Sequence, residues 1–290
     1  MSSTTLTLRV GDSAATVSSR GAALVGLTLG DREVIPAFDF NQNVYGGVLL
    51  APWPNRIRAA SYDFQGKQYH PEALDGLGNA LHGLVHNVEA VIIEQSDSHL
   101  VLQHTIQPSD AYPGELRVES SFLLESNQLT ITYTATNCGS GKAPVGLGAH
   151  PYFPFDESTK ITLNANTASV HGSDMLPTGQ IAALDLGLGG GHSRNVAELS
   201  LDTQFTNLES PVVILSDAKG EIEIWQQNAN WLMVYTTQSF PWLAGSGPAI
   251  AIEPQTMAAD GFNNGQGLQV LAPGVSTAFS WGIRIPQLGY

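Results

Sequence analysis

The chain has 290 residues, 42% of them hydrophobic and 13% charged, a composition that supplies a sizeable core and excludes disorder, which requires high charge with low hydrophobicity. Its 26 acidic and 12 basic residues leave a formal net charge of -14. Such a surface repels phosphate backbones and anionic membranes, so the expected partner is a neutral small ligand, with no nucleic acid and no membrane.

The N-terminus "MSSTTLTLRVGDSAATVSS" has no basic start followed by a long apolar core, and no apolar stretch approaches the length of a membrane span. The expected compartment is the cytoplasm. "LTLRV", "AATVSS" and "AALVGLTLG" open the chain as short strands. In "LLAPWPNRIRAASYDFQGKQY" two prolines pin the backbone before Asn55 and Arg56. Arg56 then offers a rigid donor fork for a carboxylate or for sugar hydroxyls; the competing reading is a surface arginine. Arg58 is a weaker candidate, on the same face of a strand but further out. In "NALHGLVHN", His82 precedes a glycine and His86 lies four residues on. That interval suits two metal ligands on one helical face, but no Glu follows the first histidine and the stretch is a poor helix, so no metal is expected. His86 reads equally well as a satisfied lone histidine.

Further along, "VEAVIIEQ" and "HLVLQHTI" pair around Ser96–Ser98. "GELRVESSFLLESNQLTITYTATN" alternates at every second residue on either side of a turn at Ser126–Gln128, the pattern of an antiparallel hairpin. Cys138 is the only cysteine, which excludes internal disulfides and cysteine-rich zinc sites, and it lacks a basic neighbour to activate it. In "GLGAHPYFPF", Pro151 biases His150 to an extended conformation, while Tyr152, Phe153 and Phe155 read as core or as an apolar floor under a sugar ring. The stretch "LGLGGGHSRN" lacks dinucleotide-fingerprint spacing and reads as a loop. Asp202 interrupts the strand-like "LSLDTQFTNL", as a ligand-facing carboxylate or as a turn or cap. "GEIEIWQQN" and "NWLMVYTT" read as a third hairpin, turning near Asn228–Asn230. Finally, Ala249, Ile250, Ala251 and Ile252 leave no polar face, as in a strand buried on both sides, and run into Glu253. A carboxylate ending such a run lies either beyond the rim of the sheet or at the mouth of a pocket. No G-x-S-x-G elbow offers a serine nucleophile.

Thirty glycines and sixteen prolines punctuate these strands, and no linker divides them. The expectation is one all-β domain over residues 1–290, a large antiparallel β-sandwich with broad twisted sheets and less than ~15% helix.

Taken together, "PWPNRI", the F-x-G-K-x-Y pattern at Phe64–Tyr69, "NALHGLVHN", "GAHPYF" and "IEPQTMAADGFNNG" make the chain resemble the aldose 1-epimerase (galactose mutarotase) family over nearly its whole length. The resemblance implies the galactose mutarotase-like supersandwich, Glu253 as catalytic base and His150 as catalytic acid. It also implies that His82 and Arg56 hold the sugar near its ring oxygen and hydroxyls, with Asp202 binding a hydroxyl. The chain departs from many relatives at "HGLVHN", where they carry a longer glycine-rich loop, and this leaves the particular sugar open. The chemistry needs only a proton taken from the C1 hydroxyl and one given to the ring oxygen, so no cofactor is expected, and the working protein is a monomer or homodimer. Burial is expected to raise the Glu253 pKa and a protonated His150 to lower it again, with the alkaline limb of the rate set by His150. Rival readings are an epimerase for a sugar phosphate or sulfonate, a non-catalytic carbohydrate-binding module on the same fold, and a glycoside hydrolase or polysaccharide lyase.

Overall fold

The computed structural model describes residues 4–286. Strand accounts for 55% of the chain, and the one α-helical turn among the described residues is Gly261–Asn264, so the molecule is all-β. Every ladder between named strands is antiparallel. A four-stranded meander, Thr5–Val10, Ser13–Ser18, Ala23–Leu29 and Arg32–Ile35, stands beside a fifteen-stranded sheet. A sheet that long twists and curls until its faces enclose a core, which gives a large antiparallel β-sandwich. Strict alternation builds it: Leu116–Leu124 and Gln128–Asn137 bury every second side chain, and the buried ones join one connected core with Trp53, Tyr133, Phe122, Phe205 and Trp281. No helix among the described residues is long and apolar enough to cross a membrane.

The hairpins expected around Ser96–Ser98 and Ser126–Gln128 both form. The third does not. Gly220–Gln227 and Trp231–Phe240 are both strands, but they lie end to end along one edge of the long strand Asp202–Asp217. The first pairs with Val212–Asp217 and the second with Asp202–Thr206. Asn228, at φ 62, is a kink in one continuous return path rather than the turn of a hairpin. The adjacent edge of Trp231–Phe240 is thereby free to pair with Gly247–Gln255.

That last strand carries the apolar run that leads into Glu253. Residues Ala249–Ile252 are fully buried, as their composition implies. The strand does not stop at Glu253, however, but runs on through Pro254 to Gln255, so the carboxylate projects from inside the sheet rather than from its rim. Pro254 lacks the amide hydrogen that Ile252 and Thr256, on either side of it, give to the Pro151 and Leu147 carbonyls, so the ladder opens at that position.

Candidate active site

Register brings the acid–base candidates together. On one side of Gly247–Gln255, Gly148 stands opposite Gln255 and Tyr152 opposite Ala251, which puts His150 opposite Glu253. The intervening ladder is opened by Pro151, whose carbonyl accepts from the Ile252 amide at 3.3 Å, and His150 is held by its own backbone bonds to Val48 and Gly47. The result is a His150 Nε2 to Glu253 Oε1 separation of 3.3 Å between two side chains that are almost wholly buried. On the other side, Glu253 pairs with Met233 and Met233 with Gln204, while Tyr235 pairs with Asp202. Because side chains alternate along a strand, Asp202 shares the face of Gln204 and joins the same concave surface. Asp202 opens its strand, and its backbone carbonyl accepts from His171 Nδ1 at 2.8 Å.

Arg56 and His82 arrive from a separate two-residue ladder in which Arg56 stands opposite Leu81. Asn55 (φ 56) and His82 (φ 59) hold left-handed conformations at its ends, and the His82 amide donates to the Asn55 carbonyl at 2.9 Å. Gly83 follows because a Cβ there would lie 2.1 Å from the Ala51 carbonyl oxygen. Arg56, His82, His150, Asp202 and Glu253, up to 197 positions apart, thus line one cleft of about 130 Å³ with Tyr152 and Tyr235 among its walls.

Burial governs the electrostatics. It pushes the Glu253 carboxyl well up from the usual carboxylate range, and the negative charge of Asp202 adds to the effect; the hydrogen bond from Gln255 and the charge of Arg56 oppose it. Burial pushes His150 down to about 3 and His82 down as well, the latter with help from the neighbouring positive groups. The expected rescue of Glu253 by a charged His150 is therefore not what the pair does: each partner resists carrying charge, and the pair titrates as a unit. His150 Nδ1 and His82 Nδ1 are buried without a protein partner. The rings form a continuous aromatic run: His82 meets His150 edge-on at 5.0 Å, and His150 stacks on Tyr152 at 4.9 Å.

One reading of the sequence changes here. Arg58 does not continue the strand of Arg56, because Ala59 at φ 51 turns the chain; its guanidinium binds Asp174 at 2.5 Å and Asp260 at 3.5 Å outside the cleft. Phe153 and Phe155 are core, and of that aromatic trio only Tyr152 lines the cleft. His86 packs on Tyr45 at 4.9 Å, with His82 on the same tyrosine at 5.0 Å, and no group of three or more candidate metal ligands occurs among the described residues.

Other partners escaped the sequence reading. Gln255 Nε2 donates to Glu253 Oε2 at 3.1 Å, Gln204 Nε2 donates to Gln255 Oε1 at 2.8 Å, and the Ala259 amide donates to Gln204 Oε1 at 3.1 Å. This buried chain fixes the carboxylate rotamer. Period two carried the signal, since Gln255 shares the face of Glu253 and Gln204 that of Asp202. Asp75 accepts from Arg56 Nε at 3.1 Å. Burial would raise its pKa, but hydrogen bonds from Asn79, the Leu77 amide and Arg56 outweigh that and hold it below the usual carboxylate value. Asp75→Asn is expected to leave the guanidinium unbraced, raising KM about tenfold with a smaller change in kcat, because a charge-assisted hydrogen bond that orients a binding group is lost. Steady-state kinetics on the same sugar with the parent and the variant measures both constants; an unchanged KM would make Asp75 a purely structural group.

The comparisons with known proteins agree with this architecture. The chain is 27% identical over 289 residues to the Escherichia coli K12 protein YihR, which is uncharacterized, spanning 93% of this chain and 89% of that one. It is 30% identical over 148 residues to human galactose mutarotase, covering 48% of this chain and 42% of that protein. Among solved structures, the GalM/aldose epimerase homologue of C. elegans superposes with a TM-score of 0.86 at 19% identity over 98% of both chains. Galactose 1-epimerase of Lactobacillus acidophilus NCFM gives 0.79 at 19% identity over 97% of this chain and 93% of its own. These structural likenesses carry the galactose mutarotase-like fold. The family model described as aldose 1-epimerase matches residues 4–284, and the chain belongs to that family of sugar isomerases.

Proposed function

We propose that the chain interconverts the α and β anomers of a free, uncharged aldose, with Glu253 as the base and His150 as the acid. The observation that carries the reading is the buried 3.3 Å contact between His150 Nε2 and Glu253 Oε1 on the floor of a cleft rimmed by hydroxyl-binding groups. Glu253 takes the proton of the C1 hydroxyl as His150 gives one to the ring oxygen. The ring opens, the C1–C2 bond rotates, and the aldehyde is attacked from its other face with the two residues exchanging roles. Protons balance at every step, and the pair returns to its starting state.

The pKa shifts favour this division of labour. Raising the Glu253 value makes its carboxylate a stronger base, and lowering the His150 value makes its imidazolium a stronger acid. Before substrate binds, the one proton the pair holds rests on Glu253. Sugar hydroxyls donating to Glu253, with Arg56 beside it, draw that proton to His150 as the substrate binds. Each positioned proton-transfer group contributes ~10²–10⁴-fold, so two lower the barrier by roughly 5–11 kcal/mol. A neutral sugar fits better than an anionic one because, among the described residues, Arg56 is the only lysine or arginine lining the cleft and is already engaged by Asp75, while Asp202 adds negative charge. A binding module would have no use for a buried acid–base pair.

Polarimetry of freshly dissolved α-aldoses tests the reading. The enzyme is expected to accelerate the approach to the anomeric equilibrium for neutral hexoses and to do little for sugar phosphates or sulfonates. Acceleration confined to the anionic sugars would reverse the choice of substrate class, and binding without acceleration would leave a lectin-like module.

A further inference from the structure

Two consecutive backbone amides beyond Glu253 reach both halves of the cleft. The Asp260 amide donates to the Arg56 carbonyl at 2.8 Å, and the Asp260 carboxylate accepts from the Arg58 amide at 2.9 Å. Asp260 holds a left-handed conformation, φ 59, so the chain turns sharply at this point. The Ala259 amide, one residue earlier, donates instead to Gln204 Oε1, at the head of the buried chain that ends on Glu253 Oε2. Gln204 is 2% exposed and is not among the residues lining the cleft, so it reaches the chemistry only through Gln255.

A chain of carboxamides has a direction. Each side-chain amide has an oxygen that only accepts and a nitrogen that only donates. A backbone N–H also only donates, so the Ala259 amide requires the oxygen of Gln204 on its side. That turns the Gln204 nitrogen to Gln255, which answers with its oxygen, and the Gln255 nitrogen is left facing Glu253. A donor at that place favours the carboxylate, whereas an acceptor would favour the protonated acid. Nothing in Gln255 alone selects between the two, because its carboxamide fits the same space either way round. Gln255 is wholly buried, so no solvent softens the difference.

We propose that Gln204 is a positioning residue for the base: it transmits the polarity of the Ala259 amide to Gln255 and so presents Glu253 with a hydrogen-bond donor. The inference rests on the acid–base reading above and deepens it, by naming what stabilises the carboxylate once the bound sugar has drawn its proton to His150. Because the next amide, that of Asp260, holds the backbone of Arg56, one turn sets the base and the sugar-binding guanidinium in a common frame.

Two substitutions at Gln204 test this by different routes, with polarimetry of a fresh α-aldose across pH as the readout. Gln204→Met keeps length and burial but removes both hydrogen bonds, which leaves Gln255 free to turn its carbonyl to Glu253. It is expected to lower kcat/KM about tenfold throughout the flat part of the parent profile, the effect of losing one charge-assisted hydrogen bond. Gln204→Glu keeps an oxygen that accepts from Ala259 but makes the direction of the chain depend on pH. Below the pKa of the new carboxyl, its O–H donates to Gln255 Oε1 and the original direction stands. Above it, the carboxylate only accepts, Gln255 turns round, and its carbonyl faces Glu253. The kcat/KM of Gln204→Glu is therefore expected to match the parent in acid and to fall about tenfold as pH rises, a descending limb where the parent is flat. Thermal unfolding of each variant at each pH is the folding control. A purely structural glutamine would leave Gln204→Glu with the parent's pH shape at whatever rate. That result, or a folded Gln204→Met with near-parental kcat/KM, overturns the proposal; should Gln204→Met not fold, the pH shape of Gln204→Glu decides alone. A parent protein that accelerates no aldose overturns the acid–base reading itself, and the role of Gln204 with it.

Discussion

Replacing Glu253 by glutamine is expected to lower kcat by ~10²-fold or more while changing KM little, because the group lost acts on the transition state and not on the bound sugar. The structure makes this a clean substitution. Glu253 Oε2 accepts from Gln255, and a glutamine oxygen in the same place accepts equally well. The amide nitrogen then faces His150 Nε2, which accepts in the Nδ1-protonated tautomer of the neutral imidazole that burial favours. Volume, network and burial are preserved, and a buried carboxyl that resists ionisation is exchanged for a group that cannot ionise at all, so stability is expected to hold. Polarimetry of a fresh α-aldose supplies the rate and thermal unfolding the control. A folded Glu253→Gln protein with near-normal kcat on every aldose would reduce the carboxylate to a structural member of strand Gly247–Gln255.

Much of this site was legible in the sequence because each of its residues breaks a local rule. Glu253 ends a run with no polar face, His150 precedes a proline, and Asp202 interrupts a strand. Such departures are visible one at a time, and the family motifs order them along the chain. Pairing across the sheet is not visible in this way. Gly220–Gln227 and Trp231–Phe240 look like a hairpin because they are short, alternating and joined by asparagines. Whether two such strands fold back on each other or lie end to end depends on the length of a third, and Asp202–Asp217 is long enough to take both. The same limit hid Asp75, whose bond to Arg56 depends on the path of an irregular loop. Gln204 and Gln255 were within reach of period-two reasoning, but nothing local distinguishes a glutamine that orients a carboxylate from one that meets solvent. The sign of the electrostatics also needed the structure. A sequence places His150 near Glu253 only through resemblance, and it does not reveal that both lie deep enough for desolvation to outweigh their mutual attraction.

That balance makes the second large effect, at His150, a matter of pH profile as well as rate. In the parent enzyme the working pair holds one proton. A second proton is added only when the pH falls to the depressed His150 value, near 3, and the last proton leaves only when the pH rises past the elevated Glu253 value. Burial therefore moves the acid limb down and the alkaline limb up, and kcat/KM is expected to be flat between the two, with both limbs belonging to the pair. His150→Gln removes the acid and should cost ~10²–10⁴-fold in kcat. It also leaves Glu253 as the sole proton carrier, useful only when ionised. The residual activity is then expected to be lowest in acid and to climb as pH rises through the raised Glu253 pKa, replacing the plateau by a single ascending limb. A structural histidine would lower the rate without changing the shape of the curve. A His150→Gln enzyme that kept the flat profile, at whatever rate, would show that the imidazole takes no part in the proton transfer and that the ring oxygen receives its proton from another donor.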